Sequence, residues 1–322
     1  MKTRNFICLA LGILLVTLPG CSTSLDQPVT TEAVQTATEE SLPVSEAMEE
    51  TASETKEQKE PVAPIVPYEP VTVEGDALPK DKTYSILFIG NSYTESNSMP
   101  TTSFQRFTTI AGYKVEIDTV TKGAHTLTKM ADPNDTYGAK VEKALTGTKK
   151  YDFVILQEQS ATPASDTAAA GFYSAVRNLA ARIRATGAEP ILYSTWGRKT
   201  GNGTLTQHGW TNESMTWKLA AAYEAIGTEL NIPVAHAGLA FYDIYTGLSE
   251  INIYHSDGSH PSYEGSFLAG ATLFAKIFNV DPATVFYNGI LTAEKGATLR
   301  HAAAHAVFNT PPIPDEYKTV SA

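Results

Sequence analysis

Two short segments far apart in the chain carry the residue types of a nucleophile and its base. The first, Gly90-Asn91-Ser92-Tyr93-Thr94, lies directly behind an apolar run. Gly90 permits a tight exit from an extended segment, and Ser92 then stands near the start of a helix, where backbone N–H groups favour developing negative charge. A serine hydroxyl is a weak nucleophile and needs a base within hydrogen-bond reach. Without one, the same serine reads as a helix cap. The second segment is Ser256-Asp257-Gly258-Ser259-His260-Pro261. An aspartate three residues before a histidine, in a turn leading into a helix, can fold back so that its carboxylate receives one imidazole N–H and fixes the tautomer. The other ring nitrogen then faces outward as a general base. Taken alone this turn is equally a polar start to a helix, but the two segments together describe base-assisted nucleophilic attack.

Other residues invite different chemistry. His301 and His305 lie four apart in an Ala-rich helical stretch and could face one metal ion, yet no carboxylate accompanies them in an H-E-x-x-H pattern, so a packed or solvated helix face is expected and no metal site. His255 and Asp243 form a rival acid/base pair without the short turn spacing of Asp257 and His260. His125 could line the site. Trp196 and Trp210 flank a glycine-containing loop, and their rings could stack on sugars or simply pack. Trp217, flanked by Met215 and Leu219 in a helical stretch, reads as core.

The elements that must position these residues alternate in type. Short apolar runs at 84–90, 115–120, 153–156, 190–194 and 232–235 read as strands, and helical spacing occupies 103–112, 138–145, 168–184 and 213–230. A last helix is expected over 261–278, with Pro261 in its first turn and Phe267, Ala271, Phe274 and Phe278 along one stripe. This β-α-β-α order predicts an α/β fold, a doubly wound three-layer α/β/α sandwich around a parallel sheet of about five strands. In such a sheet ligands bind beyond the carboxyl ends of the strands, and both chemical segments fall at that edge.

The order and spacing of the two segments resemble the SGNH/GDSL hydrolase superfamily, and more closely a bacterial branch whose first block reads G-N-S. The resemblance covers roughly residues 84–278 and implies a flavodoxin-like fold with Ser92, Asp257 and His260 as its catalytic triad. It also implies an oxyanion hole. Gly123, in Thr121-Lys122-Gly123-Ala124 after the second strand, matches a glycine whose N–H donates to the oxyanion, beside the N–H of Ser92 itself. Gln159, in Leu156-Gln157-Glu158-Gln159-Ser160 after the third strand, stands where the family usually has an asparagine, and Gln157 could serve instead. Asn91 replaces the usual aspartate beside the nucleophile. Asn91, Gln157, Trp196 and Trp210 are the candidate substrate-binding residues. No cofactor is implied.

Charge is distributed unevenly. The chain carries 24 Lys and Arg against 35 Asp and Glu, but residues 22–82 alone hold 14 acidic and 4 basic side chains. Residues 83–322 are nearly neutral, with 18 basic and 21 acidic, so a cationic groove for nucleic acid is not supported. Lys2 and Arg4 precede an apolar run over 6–18 that ends in Leu18-Pro19-Gly20-Cys21. This layout is that of an export signal, and the tetrapeptide resembles the bacterial lipobox, which implies an acylated Cys21 and attachment to a lipid membrane. The expected organisation is a lipoprotein signal at 1–21, a disordered acidic stalk at 22–82 and a hydrolase domain at 83–322, exported and lipid-anchored at the bacterial envelope. Both cysteines, Cys8 and Cys21, lie in the signal, so the domain has no disulfide framework. The resemblance and this placement imply an esterase removing O-acyl, chiefly acetyl, groups from a polysaccharide or small-molecule ester. Two alternatives are a lipase or lysophospholipase, and a non-catalytic glycan-binding surface lipoprotein.

Overall fold

Successive side chains of the first strand, β1 (Thr83–Gly90), enter two different apolar layers, as a strand covered on both faces requires. Tyr84, Ile86 and Phe88 belong to one buried cluster, Leu87 and Ile89 to the other. The computed structural model describes residues 62–248 and 250–318 and extends this division across a five-stranded sheet. The other strands are β2 (Lys114–Thr121), β3 (Phe153–Leu156), β4 (Glu189–Ser194) and β5 (Val234–His236), in the order β2-β1-β3-β4-β5. Every neighbouring pair is parallel. Gly90 lies opposite Thr121, and Ile89 opposite Leu156, so the chain leaves β1, β2 and β3 at one shared edge.

The helices are α1 (Ser92–Glu95), α2 (Gln105–Ile110), α3 (Leu127–Ala131), α4 (Thr136–Thr146), α5 (Ala169–Ala185), α6 (Gly203–His208), α7 (Asn212–Leu230), α8 (Ala237–Gly247), α9 (Tyr263–Phe278) and α10 (Ala293–Phe308). Phe107 of α2, Phe241 of α8, Phe274 of α9 and Leu299 of α10 fill the first cluster. Val141 of α4, Phe172 of α5 and Ile226 of α7 fill the second. The molecule is thus the three-layer α/β/α arrangement that the alternating pattern predicts. None of the helices among the described residues is long and apolar enough to cross a membrane.

Three differences from the sequence reading have physical causes. First, α9 begins at Tyr263, because the Ser262 hydroxyl caps it by accepting from the Gly265 N–H, while Pro261 lies outside in an antiparallel bridge with Tyr254. Second, α8 follows β5 with no capping side chain and buries most of its residues, so neither a cap nor an amphipathic stripe announces it. Third, residues 62–82 lie against the domain. The Ile65 N–H donates to Thr298 Oγ1 at 2.8 Å, the Tyr68 hydroxyl to Asp243 Oδ2 at 2.9 Å, and the Leu78 N–H to the Phe278 carbonyl at 3.2 Å. Val66, Tyr68 and Leu78 pack on the first cluster. These apolar anchors are diluted by acidic neighbours in the sequence, which is why composition places the whole stretch in the stalk. The expected signal segment and residues 22–61 of the expected stalk lie outside the described residues.

Candidate active site

β1 ends at Gly90 because nothing larger fits there: a Cβ would approach both Gln157 Oε1 and Thr94 Oγ1 to 2.7 Å. Gln157 Oε1 accepts from the Asn91 N–H and from the Thr94 hydroxyl, each at 2.9 Å, and so bolts the turn after β1 to the end of β3. Asn91 caps α1 by accepting from the Tyr93 N–H at 3.1 Å, and its amide nitrogen donates to the His125 carbonyl at 3.1 Å. Ser92 is therefore presented on a fixed turn. Because α1 is a single turn, its dipole is short, and the N–H groups of Tyr93, Thr94 and Glu95 are already donated to Asn91.

The Asp257 turn is folded by Gly258, whose φ of +65° is the left-handed region that favours glycine. The turn brings Asp257 Oδ1 to the N–H groups of Ser259 and His260, both at 2.9 Å. Asp257 Oδ2 lies 2.5 Å from His260 Nδ1, and His260 Nε2 lies 2.8 Å from Ser92 Oγ. With a proton on Nδ1 donated to the carboxylate, Nε2 is left to accept from the serine hydroxyl; this tautomer is assigned from the network. Partial burial opposes ionisation of Asp257. The imidazole hydrogen bond and the two backbone N–H groups outweigh it and hold the carboxyl down at about 2.

Aromatic packing backs the relay. Trp196 is fully buried, stacked between Tyr93 at 4.8 Å and Phe241 at 3.9 Å, and its indole N–H donates to the Ser259 carbonyl at 3.0 Å. The Tyr93 hydroxyl meets Ser259 Oγ at 2.5 Å, and its ring meets His260 edge-on. Trp196 is thus a wall behind the histidine turn, and of the two readings open to its ring this burial takes packing and not a substrate-binding surface. Trp210 stacks on His208 and packs beside Leu205, Met215 and Leu219, away from the cleft.

The cleft at Ser92 has a volume of about 310 Å³ and is bordered by Tyr93, Ala124, Gln159, Ser160, Arg198, Asn202 and the relay residues. Of the two glutamines, Gln157 is buried, its oxygen is doubly occupied, and its amide nitrogen donates to the Glu158 carbonyl. Gln159 uses its oxygen, accepting from the Ala161 N–H at 3.0 Å and the Thr162 hydroxyl at 3.1 Å, and its amide nitrogen, beside the cleft, is unengaged among the described residues. Asn91 borders the cleft too, but its internal hydrogen bonds make it a positioning group rather than a ligand-binding one. In the turn after β2 the residue with positive φ is Ala124, at 59°, and it is Ala124 rather than Gly123 that borders the cleft. The Gly123 N–H makes no hydrogen bond among the described residues.

Glu158 escaped the sequence reading. It is wholly buried, receives the Leu127 N–H at the start of α3 and the Gln159 N–H at 2.6 Å, and its own N–H donates to the Tyr223 hydroxyl. Burial raises its pKa from the ordinary 4.5 to about 7, against the lowering effect of the two N–H groups. Its position between two glutamines directly after a strand was the available signal. The other candidates lie elsewhere. His125 pairs with Asp135 at 3.2 Å, Asp243 with Tyr68, and His255 with Ser256, while His301 and His305 flank the Tyr68 ring. Among the described residues no group of three or more His, Cys, Asp or Glu side chains could hold a metal ion.

No protein-family model and no curated protein matches the sequence. Solved structures do. A candidate SGNH hydrolase from Slackia heliotrinireducens is 28% identical with a TM-score of 0.53, over 61% of this chain and 99% of its own. A DUF4886 family protein from Bacteroides uniformis is 17% identical with a TM-score of 0.59, over 71% of this chain and 97% of its own, a likeness of fold alone. A catalytic mutant of an acetylxylan esterase from Geobacillus stearothermophilus superposes more loosely, with a TM-score of 0.46 at 12% identity over 60% of this chain and 94% of its own, too loosely to bear on chemistry. The α/β architecture with its five-stranded parallel sheet is the SGNH hydrolase fold, and the likeness to the Slackia protein supports a hydrolase of that superfamily.

Proposed function

We propose that the protein is a serine esterase that removes O-acyl groups, acetyl above all, from an extracellular carbohydrate or a related ester. The observation that carries this reading is the unbroken relay Ser92 Oγ, His260 Nε2, His260 Nδ1, Asp257 Oδ2, with contacts of 2.8 and 2.5 Å. His260 accepts the Ser92 proton as the hydroxyl attacks the ester carbonyl, and Asp257 stabilises the imidazolium. The Ser92 N–H and the Gln159 amide nitrogen receive the oxyanion, and the Gly123 N–H joins them only if the turn that carries Ala124 at the cleft border moves inward. His260 then protonates the leaving alcohol, and water repeats the attack on the acyl-enzyme.

The small cleft, bordered by polar residue types apart from Ala124, favours a short acyl group over the long chain of a lipase substrate. The carbohydrate part of the reading rests on that polarity and on the expected anchoring through Cys21, with Trp196 contributing packing alone. An intact relay disfavours the non-catalytic alternative. Labelling with a serine-directed phosphonate, followed by peptide mapping, tests the reading. A single adduct on Ser92, absent in His260→Ala, is expected; labelling elsewhere, or none, would count against it.

A further inference from the structure

We propose that Arg198 recognises an anionic group on the substrate ester, an inference that rests on the esterase reading of the same cleft and narrows its substrate class. Apart from the histidine, the cleft border carries two side chains charged at neutral pH, Asp257 and Arg198. The Asp257 carboxylate is occupied by His260 and two backbone N–H groups. Arg198 has no carboxylate partner among the described residues. Its Nη1 donates to Thr204 Oγ1 at 2.5 Å and to Asn202 Oδ1 at 3.4 Å, and its Nη2 donates to Ser160 Oγ at 2.9 Å. Its Nε is buried without a hydrogen-bond partner among the described residues. A guanidinium has five N–H groups, so Nε and one N–H of Nη2 remain without acceptors.

That situation is costly unless something completes it, because a partly buried cation surrounded only by neutral oxygens lacks the counter-charge that normally accompanies burial. Two other arginines take acids: Arg177 holds Glu229 through Nε and Nη2, each at 2.6 Å, and Arg182 pairs with Glu142. Arg300 donates, as Arg198 does, to neutral oxygens, but it does not border the cleft. Arg198 is also held still. The Asn212 amide donates to its carbonyl at 2.9 Å, the preceding carbonyl of Gly197 accepts from the Tyr254 hydroxyl at 2.6 Å, and Ser160 is itself buried next to Gln159. A preorganised guanidinium without an acid, beside the proposed nucleophile, has the chemistry of a carboxylate or other anion receptor. The ester is one that bears a negative charge, as a sugar acid or hydroxy acid does, on either the acyl or the alcohol side.

Two substrate pairs distinguish the sides. The para-nitrophenyl hydrogen succinate ester against its methyl ester places the charge on the acyl group. Para-acetoxybenzoate against its methyl ester places it on the alcohol. The native protein is expected to prefer the charged member of one pair by about 10- to 100-fold in kcat/KM, carried in KM and diminishing as ionic strength rises. In Arg198→Met that ratio should collapse toward one. Should this variant fail to fold, Arg198→Lys, which keeps charge but loses the planar fork, is expected to reduce the ratio by a smaller factor. Ratios near one for both pairs in the native protein, or an unaltered ratio in either variant, overturn the proposal. Calorimetric binding of the same compounds to Ser92→Ala separates this inference from the esterase reading, since it needs no turnover: tighter binding of a charged member supports Arg198 even if no ester is cleaved, and equal binding defeats it.

Discussion

Gln157 and Gln159 are two positions apart with the same side chain, yet one is a structural bolt and the other has a free donor at the cleft. Gln159→Ala is expected to lower kcat/KM on an acetyl ester by about 10²- to 10³-fold, the typical effect of losing one oxyanion donor, with a smaller fall in Tm than Gln157→Ala because its own two hydrogen bonds are only part-buried. Gln157→Ala should instead lower Tm, because it strips partners from the buried Asn91 N–H and Thr94 hydroxyl. The reverse pattern would exchange their roles. Glu158, between them, predicts a pH dependence of stability. Its folded-state pKa is raised from 4.5 to about 7, so between those values the folded protein holds more protons than the unfolded chain. Stability therefore falls as pH rises through that window, by up to about 3 kcal/mol, and is level above it. Urea titrations across the window should show this slope, and Glu158→Gln should flatten it. Asp257 acts in the opposite sense. Its depressed carboxyl contributes stability that is present above about 4 and lost as pH falls toward 2.

The elements place these residues through one close approach, that of β1 to the end of β3. Gly90→Ala must push Gln157 and Thr94 outward, since both lie 2.7 Å from the new Cβ. A loss of about 1–3 kcal/mol in stability and a fall in kcat larger than the fall in Tm explains are expected, because the displaced Gln157 releases Asn91 and with it Ser92. Equal activity at a lowered Tm would show that the turn keeps its shape without the bolt. Strands were legible in the sequence where both faces are covered, as in β3, whose four residues coincide with the expected run, and in β1. The nucleophile and histidine turns were legible for a related reason: their chemistry is local, a capped turn after a strand and a carboxylate folded back by a glycine. α8 was not legible, because its first five residues are all buried and it starts directly after β5 without a capping side chain, so nothing in the sequence separates it from the strand. Nor was the burial of Trp196, which depends on Phe241 from α8. The indole follows a strand on the ligand side, as a binding residue would, and only the packed helix behind it makes it a wall.

At the scale of the molecule, the acidic N-terminal stretch does two things that its composition hides from each other. Residues 62–78 seal part of the domain through Val66, Tyr68 and Leu78, while residues ahead of them carry most of the negative charge. A chain beginning at residue 62 should match the full-length protein in Tm. One beginning at residue 79 should lose about 3 kcal/mol, or roughly 6–12 °C, from the uncovered apolar surface and the lost Tyr68 and Ile65 hydrogen bonds. Scanning calorimetry of the two decides it, and identical transitions would return the whole stretch to the tether. The relay is likewise a property of the whole molecule, since Ser92 and His260 are 168 positions apart and meet only when the sheet edge and the turn before α9 are both assembled. Ester turnover by Ser92→Ala, His260→Ala and the double variant therefore tests the central claim most directly, with folding checked by circular dichroism. Each single change is predicted to reduce kcat/KM by about 10⁴-fold or more, and the double variant to be scarcely worse than the worse single, because a base without its nucleophile has nothing to activate. Turnover by Ser92→Ala close to that of the native protein, or losses that multiply in the double variant, would contradict a single proton-transfer assembly at this site.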